Sequence, residues 1–351
     1  MTVYTDKVYA EPSYALVVDG RNITPHVEAR LIRLTLTESR GDEADQLDIE
    51  LDDTDGRLQL PPKGAEIALQ LGWLGDGMVD KGLFEVDEIE HIGAPDQICI
   101  RARSAEMRRQ LRTRTEHSWH DTTIGAIVSQ IAARHQLVPR VDDKLASVRI
   151  AHIDQTHESD LHFLTRLAKQ HDAVSTVKKG RLVFLPINGT VTSTGEELDT
   201  IVISRKDGDQ HRYHTADRHS YSGVRAYWHD AARATKRSVL VGTEENEKRL
   251  KDTYGSEADA LAAARAEQQR VTRGKATFEL TLALGKTELM PQTPVTVTGF
   301  KDEIDNTPWL LVKLTHTLAD GGLTTRMEME TRDAPDDQTP QVSDVNEGVD
   351  Q

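Results

Sequence analysis

Histidine is the residue type here with the readiest chemistry. Six of the fourteen histidines fall in two groups: His152, His157 and His162, and His211, His214 and His219. Neutral imidazole is a common metal ligand, but a site needs ligands that converge through helical spacing or through partnered Cys and His. Neither group has that spacing. His157 and His162 are five residues apart and share a helical face poorly. Loop and interface residues are expected, with no metal. Asp53-Thr54-Asp55-Gly56 opens like a calcium loop, yet the twelfth position counted from Asp53 is Gly64 and not a closing Glu. A turn is expected instead, because Asp and Gly favour turns. Paired carboxylates for glycoside cleavage would need a raised-pKa acid in an apolar pocket. Most Asp and Glu here alternate on polar strand faces or lie in polar helices. No nucleophile elbow, phosphate loop or dinucleotide fingerprint is present. The lone Cys99 sits in Ile98-Cys99-Ile100, the setting of a small buried hydrophobe more than of a reactive thiol. The expectation is no catalytic, cofactor-binding or metal-binding residue, and no enzyme.

The chain has 351 residues, enough for two to four modules. Lys and Arg number 43 against 58 Asp and Glu, a net charge of −15. That balance argues against sequence-independent nucleic-acid binding, which comes from cationic side chains on phosphates. It leaves room for a channel through which DNA passes without sticking. One cysteine forbids an intrachain disulfide. The first residues lack the basic and apolar regions of a signal peptide, and no apolar run approaches bilayer length. Synthesis and folding in the cytoplasm are expected, without stable membrane insertion.

Period-two alternation marks strands at Ile32-Leu34-Leu36, Leu47-Ile49-Leu51 and Ile67-Leu69-Leu71. Phe84 and Val86 share a face from which Ile89 is out of phase, so a bulge is expected near Asp87-Glu88. The period then changes. Asp121 is expected to cap a helix carrying Ile124, Ile127, Val128 and Ile131; a second helix runs from near Ser159 to His171-Asp172. Lys178-Lys179-Gly180-Arg181 turns a hairpin. Strands resume at Thr200–Ile203 and Gly223–Trp228. A long helix runs from Ser256 to about Arg273, and alternation returns at Phe278–Leu284 and Leu310–His316. From Asp333 onward no core pattern remains, as in a flexible acidic tail.

The two β-rich parts repeat one another in order. Gln46–Leu51, Gly56, Pro61-Pro62, Ile67–Trp73, Phe84-Glu85-Val86, Ile89 and His91 are followed by Thr277–Leu282, Gly285, Pro291, Val295–Phe300, Trp309-Leu310-Leu311, Leu314 and His316. Each copy ends in a turn and a strand, Ile98–Arg103 and Thr325–Glu330. Two related small β-barrels are expected, because closure buries one face of every strand and hides the edges. The fold class expected is α+β, mostly antiparallel. The first barrel spans 1–106, an α+β domain 107–198, and the second barrel 199–332 with a helical insertion around 229–274; the tail spans 333–351.

Glu158-Ser159-Asp160-Leu161-His162-Phe163-Leu164-Thr165-Arg166-Leu167-Ala168 resembles a segment shared by VgrG proteins and phage late control gene D proteins. Asp55–Leu58 running into Pro61–Glu66 and Leu71-Gly72-Trp73 does the same. Arg237–Arg332 resembles the gene D branch, also found in R-type pyocins. The resemblance implies a baseplate hub of a contractile injection system, in the tail baseplate of a virion or a phage-tail-like particle. It implies a homotrimer whose six barrels adapt a hexameric tail tube, or a tube-initiator protein, to a trimeric central spike. The tape measure protein and baseplate wedge proteins are further implied neighbours. The acidic charge is expected to keep DNA off the lumen. VgrG chains continue into a spike of short β repeats, whereas this chain ends in a short acidic tail, so a separate spike is expected. The alternatives are a cell-wall-degrading tail enzyme and a VgrG-type effector-delivery spike.

Overall fold

The computed structural model describes residues 10–41, 43–105, 111, 113–188, 198–215, 221–230, 233–332 and 341–344. In the first β-rich part lie β1 (Pro12–Val18), β2 (Arg21–Asn22), α1 (Thr24–Val27), β3 (Leu31–Ser39), β4 (Gln46–Asp52), β5 (Glu66–Trp73), β6 (Gly77–Ile92) and β7 (Gln97–Ser104). The middle part holds β8 (Arg114–Thr123), α2 (Ile124–Arg134), β9 (Val138–Val141), α3 (Asp143–Ala146), β10 (Arg149–Ser159), α4 (Asp160–Gln170), β11 (Ala173–Lys178) and β12 (Arg181–Pro186). Then follow β13 (Ile201–Ser204), β14 (Gly208–Thr215), β15 (Gly223–Asp230), β16 (Thr235–Gly242), β17 (Glu247–Tyr254) and α5 (Glu257–Arg273). The chain continues with β18 (Ala276–Leu282), β19 (Pro294–Thr298), α6 (Asp302–Asp305), β20 (Trp309–Ala319), β21 (Gly322–Thr331) and β22 (Gln341–Asp344).

The expected mostly antiparallel α+β class stands. One large sheet follows the path β14-β18-β21-β20-β3-β4-β7-β6-β5-β1-β2, with β19 and β13 branching from β20. Neither β-rich half closes on itself into a barrel among the described residues. Each instead hands an edge to its neighbour: β20 pairs antiparallel with β3, from Lys313 opposite Ser39 to Ala319 opposite Arg33.

The duplication read from the sequence is present in the pairing. Ile49 and Ile89 both face Ile100, and Ile67 faces Phe84. In the second half Leu280 and Leu314 both face Met327, and Val295 faces Trp309. The expected bulge follows Val86, where the register against β7 slips before Glu88; its counterpart follows Leu311, before Lys313. β3 and β14 are also equivalent. β3 meets β4 with Leu34 opposite Ile49 and a slip between Leu31 and Arg33; β14 meets β18 with His211 opposite Leu280 and a slip between Gly208 and Gln210. The last pair departs from the pattern: β1 runs antiparallel to β5, whereas β13 runs parallel to β19. Separate apolar clusters fill the halves, one around Leu34, Leu47, Leu69 and Phe84, the other around Phe278, Val297, Trp309 and Met327. Burying each such side chain contributes roughly 1.5–3 kcal/mol.

The middle part packs α2 and α4 on small sheets through Ile127, Ile131, Phe163 and Leu167. α4 starts where expected: the Ser159 side chain accepts from His162 N–H at 3.2 Å, and Asp160 sits in the first turn. α2 starts two residues later than expected. Thr123 caps it by accepting from Ala126 N–H, while Asp121 lies inside β8 with φ +43°. The ladder to β10, with Thr122 opposite Ile150 and Thr123 opposite Arg149, keeps this stretch extended until the cap. The region expected as a helical insertion holds strands as well. β15, β16 and β17 form a sheet beneath α5, whose Ala260 and Ala264 meet Val224, Val239 and Val241. Ser256 caps α5 as expected. Within the expected flexible tail, β22 pairs antiparallel with β16, Gln341 opposite Leu240; 333–340 and 345–351 lie outside the described residues. No helix among the described residues is long and apolar enough to cross a membrane.

Candidate assembly interface

Strand β3 points Leu34, Leu36 and Glu38 into the interior, so the alternation puts a carboxylate where a hydrophobe is due. β20 meets it with Leu314, His316 and Leu318, which places a histidine on the same inward face. The two polar groups meet: His316 Nε2 lies 3.1 Å from Glu38 Oε2, and His316 Nδ1 lies 2.7 Å from Thr325 Oγ1. Lys81 of β6 donates to the same Glu38 oxygen at 2.7 Å. Glu38 is 7% exposed and His316 0%. Burial by itself would raise the Glu38 pKa, but the His316 hydrogen bond and the Lys81 charge outweigh it and hold the carboxyl at about 2. An ionised Glu38 only accepts, so neutral His316 carries its proton on Nε2 and its Nδ1 accepts a hydrogen bond from the Thr325 hydroxyl. Burial lowers the His316 pKa, which agrees with a neutral ring. Trp73 Nε1–H donates to the Gly285 carbonyl at 2.8 Å, a second bridge between the halves. At its hairpin tip Leu318 and Leu323 join the core of the first half. The trio of Lys81, Glu38 and neutral His316 thus lies across the seam of the two repeats.

A second buried charge cluster ties three parts of the chain. Arg273, 1% exposed in the last turn of α5, forks onto Asp172 after α4, with Nη1 2.7 Å from Oδ2. Its Nε lies 3.1 Å from Glu330 of β21, which also pairs with Arg40 beyond β3.

The residues singled out in the sequence do not converge. His152 stacks on His120 across the β8–β10 ladder and lies 3.1 Å from Asp154. His157 faces Glu116, and His162 bonds Glu158 at 2.7 Å. His211 and His214 lie along exposed β14, where His211 sets its ring edge-on to Phe300 at 5.0 Å. His219 lies outside the described residues. Among those described, no group of three or more His, Cys, Asp or Glu could hold a metal ion. Asp53-Thr54-Asp55-Gly56 is a turn: Gly56 N–H donates to the Asp53 carbonyl at 2.8 Å, and Asp55 takes a fork from Arg30 that holds its carboxyl at about 2. Cys99 is half-buried on β7, and burial raises its thiol pKa.

An open polar cleft is lined by Arg114, Asp154, Glu158, His162 and Arg166. Burial would raise the Glu158 pKa, but the Arg166 fork and His162 outweigh it and leave it lowered. The Ser118 hydroxyl, above all, lowers the Asp154 pKa. Both carboxylates are held ionised, so neither is suited to donate the proton that glycoside cleavage needs. Sequence reasoning passed over Glu38, Lys81, His316, Asp172 and Arg273. The available signal was a charged or polar residue at a core-facing position: Glu38 two after Leu36, His316 two after Leu314.

The family described as Phage tail baseplate hub (GPD) matches residues 32–322. A relative from Escherichia phage 186, described as a probable baseplate hub protein, is 42% identical across 92% of this chain and 93% of its own. Its counterpart from Escherichia phage P2, described alike, is 41% identical over the same shares. The crystal structure of a 43 kDa tail protein of prophage MuSo2 from Shewanella oneidensis shares the fold, with a TM-score of 0.68 at 16% identity, covering 94% of this chain and all of that one. With the family match and both relatives spanning most of its length, this chain belongs to the phage tail baseplate hub family and is a structural component of the baseplate.

Proposed function

We propose that three copies of this chain form a ring that joins a hexameric tail tube to a trimeric central spike, and that its work is mechanical, with no catalysis. The observation that carries this is the repeated strand order and register, down to the bulges after Val86 and Leu311. Two like units per chain make six in a trimer, so a six-fold partner meets six similar faces while a three-fold partner meets three chains. Each repeat also presents an exposed apolar side chain just ahead of its loop prolines, Leu60 before Pro61 and Met290 before Pro291. Six such side chains supply like contacts to a six-fold tube. Tape measure and wedge proteins are the neighbours proposed inside and around the ring, and the negative charge keeps the lumen from holding DNA. The test is mass by light scattering after size exclusion, alone and with the spike protein. Three times the 39.2 kDa chain mass, alone or on spike addition, is expected. A monomer or dimer under both conditions overturns the ring, and a clearing band on a peptidoglycan zymogram overturns the absence of catalysis.

A further inference from the structure

We infer that the ring closes by strand addition: β14 of one copy pairs antiparallel with the second half of β6 of the next, in the register that β3 makes with β20 inside the chain. This rests on the ring reading above and names the surfaces that build it. β20 divides one edge between two partners. Trp309 and Leu310 pair with β19, while Lys313–Ala319 pair with β3. β6 is its counterpart, shown by the shared bulge. Its first half pairs with β5 as far as Glu85, but the same edge beyond Asp87 meets no strand among the described residues. β14 is the counterpart of β3, shown by the shared slip against the next strand. β3 carries β20 on its second edge; β14 carries nothing there among the described residues and is exposed from Asp209 to Thr215. Each copy therefore offers one unmatched edge of each kind, and each kind already has its mate in the other half.

Long unpaired edges are templates for another strand. The register follows from the repeat. Leu314 opposite Glu38 maps to Ile89 opposite Thr215, Thr315 opposite Thr37 to Glu90 opposite His214, and Thr317 opposite Thr35 to Ile92 opposite Arg212. The side chains suit that pairing. In that register acidic Glu90 on β6 meets His214 on β14, with Arg212 its diagonal neighbour on the same face. Ile92 is 44% exposed and Tyr213 36%, and both would be covered. The contact is head-to-tail, so it either closes as a ring or runs on. In the proposed trimer three such contacts alternate with the three β3–β20 joins inside the chains, six in all.

The test is cysteine crosslinking in assembled tail particles, with Cys99→Ser as background. Glu90→Cys with His214→Cys places the pair directly opposite; Glu90→Cys with Arg212→Cys is two residues out of register, beyond the reach of a disulfide without backbone movement. Ile92→Cys with Arg212→Cys tests the same register one pair further along the same face of the strands, should the first pair disturb assembly. After oxidation the in-register pairs should give two- and three-chain species on a non-reducing gel, at least tenfold more than the off-register pair. Particles that contain the hub but yield no such excess overturn the strand pairing. Hub-to-spike stoichiometry on a reducing gel is read from the same particles, so a ratio other than one to one refutes the trimer separately.

Discussion

Replacing Glu38 by Gln tests whether charge holds the seam between the repeats. The carboxylate lies 2.7 Å from Lys81 Nζ and 3.1 Å from His316 Nε2. The gap between its pKa of about 2 and the ordinary 4.5 corresponds to about 3 kcal/mol in favour of the folded state at neutral pH. Because the folded value lies below the unfolded one, this contribution is complete above the unfolded value and is lost as pH falls from there toward 2. Gln keeps the volume and removes the charge, leaving the Lys81 ammonium, 3% exposed, beside a neutral amide. Breaking a buried pair in this way costs about 3–5 kcal/mol. Urea unfolding measures the loss, and amide exchange across β3 and β20 locates it. The variant should lose about 3 kcal/mol at pH 7, and the gap to the native chain should narrow as pH falls from 4.5 toward 2. Glu38→Leu with Lys81→Met should recover most of the loss, because both desolvated charges go together. A loss under about 0.5 kcal/mol at pH 7, the level of an ordinary surface substitution, would refute the reasoning; so would a gap that does not change with acid.

His316→Gln should flatten a separate acid response. The buried neutral ring has a lowered pKa, so the native chain loses stability as pH falls below the unfolded value of 6.5, and the variant should lack that slope in thermal melts between pH 7 and 5. Arg273→Leu strands the Asp172 carboxylate and removes one of the two arginines beside Glu330, and calorimetry should report a loss of about 3–5 kcal/mol. Asp160→Asn weakens a buried carboxylate that accepts from Gln155 and His135 and faces Arg134; unfolding should begin in the α2–α4 unit, seen as faster amide exchange there. Arg30→Ala should return the Asp55 pKa from about 2 toward 3.8 in an NMR titration, with the turn at Gly56 kept.

The strands that became legible were those whose two faces differ. Leu34 and Leu36 against Arg33 and Thr35 announce a half-buried strand, and the phase slip at Ile89 announced the bulge. The ordered recurrence of Gly, Pro and His made the repeat visible. β17 escaped because its Glu-Lys-Arg-Leu-Lys-Asp run lies on a mostly exposed strand, and no apolar face marks it. β22 is held by pairing to β16, a non-local contact that no local pattern encodes. The Thr123 cap was misplaced by two residues because the β8–β10 ladder, also non-local, decides where the helix begins. For the interface, Glu38 and His316 stood at core parity in plain view, but their partnership joins residues 278 apart in sequence. Arg273 read as one more polar residue of a polar helix, and only its packing against Asp172 and Glu330 gives it a role.

The β3–β20 pairing has a consequence for how the proposed ring would bear load. In the proposed three-chain ring, half of the six seams would be tethered, each within one polypeptide, and half would not. Joining three bodies instead of six loses less translational freedom, and a tethered seam feels its own mate at an effective concentration of roughly millimolar. The tethered seams also carry the Lys81–Glu38–His316 cluster, whereas the open edges present His91 and Tyr213 at the places of His316 and Leu36. A ring built in this way has three planned lines of fracture, one-third of a turn apart. Axial force transmitted through it would part those lines together and leave each chain whole, so a jammed ring would fail as intact wedges and not as torn protein.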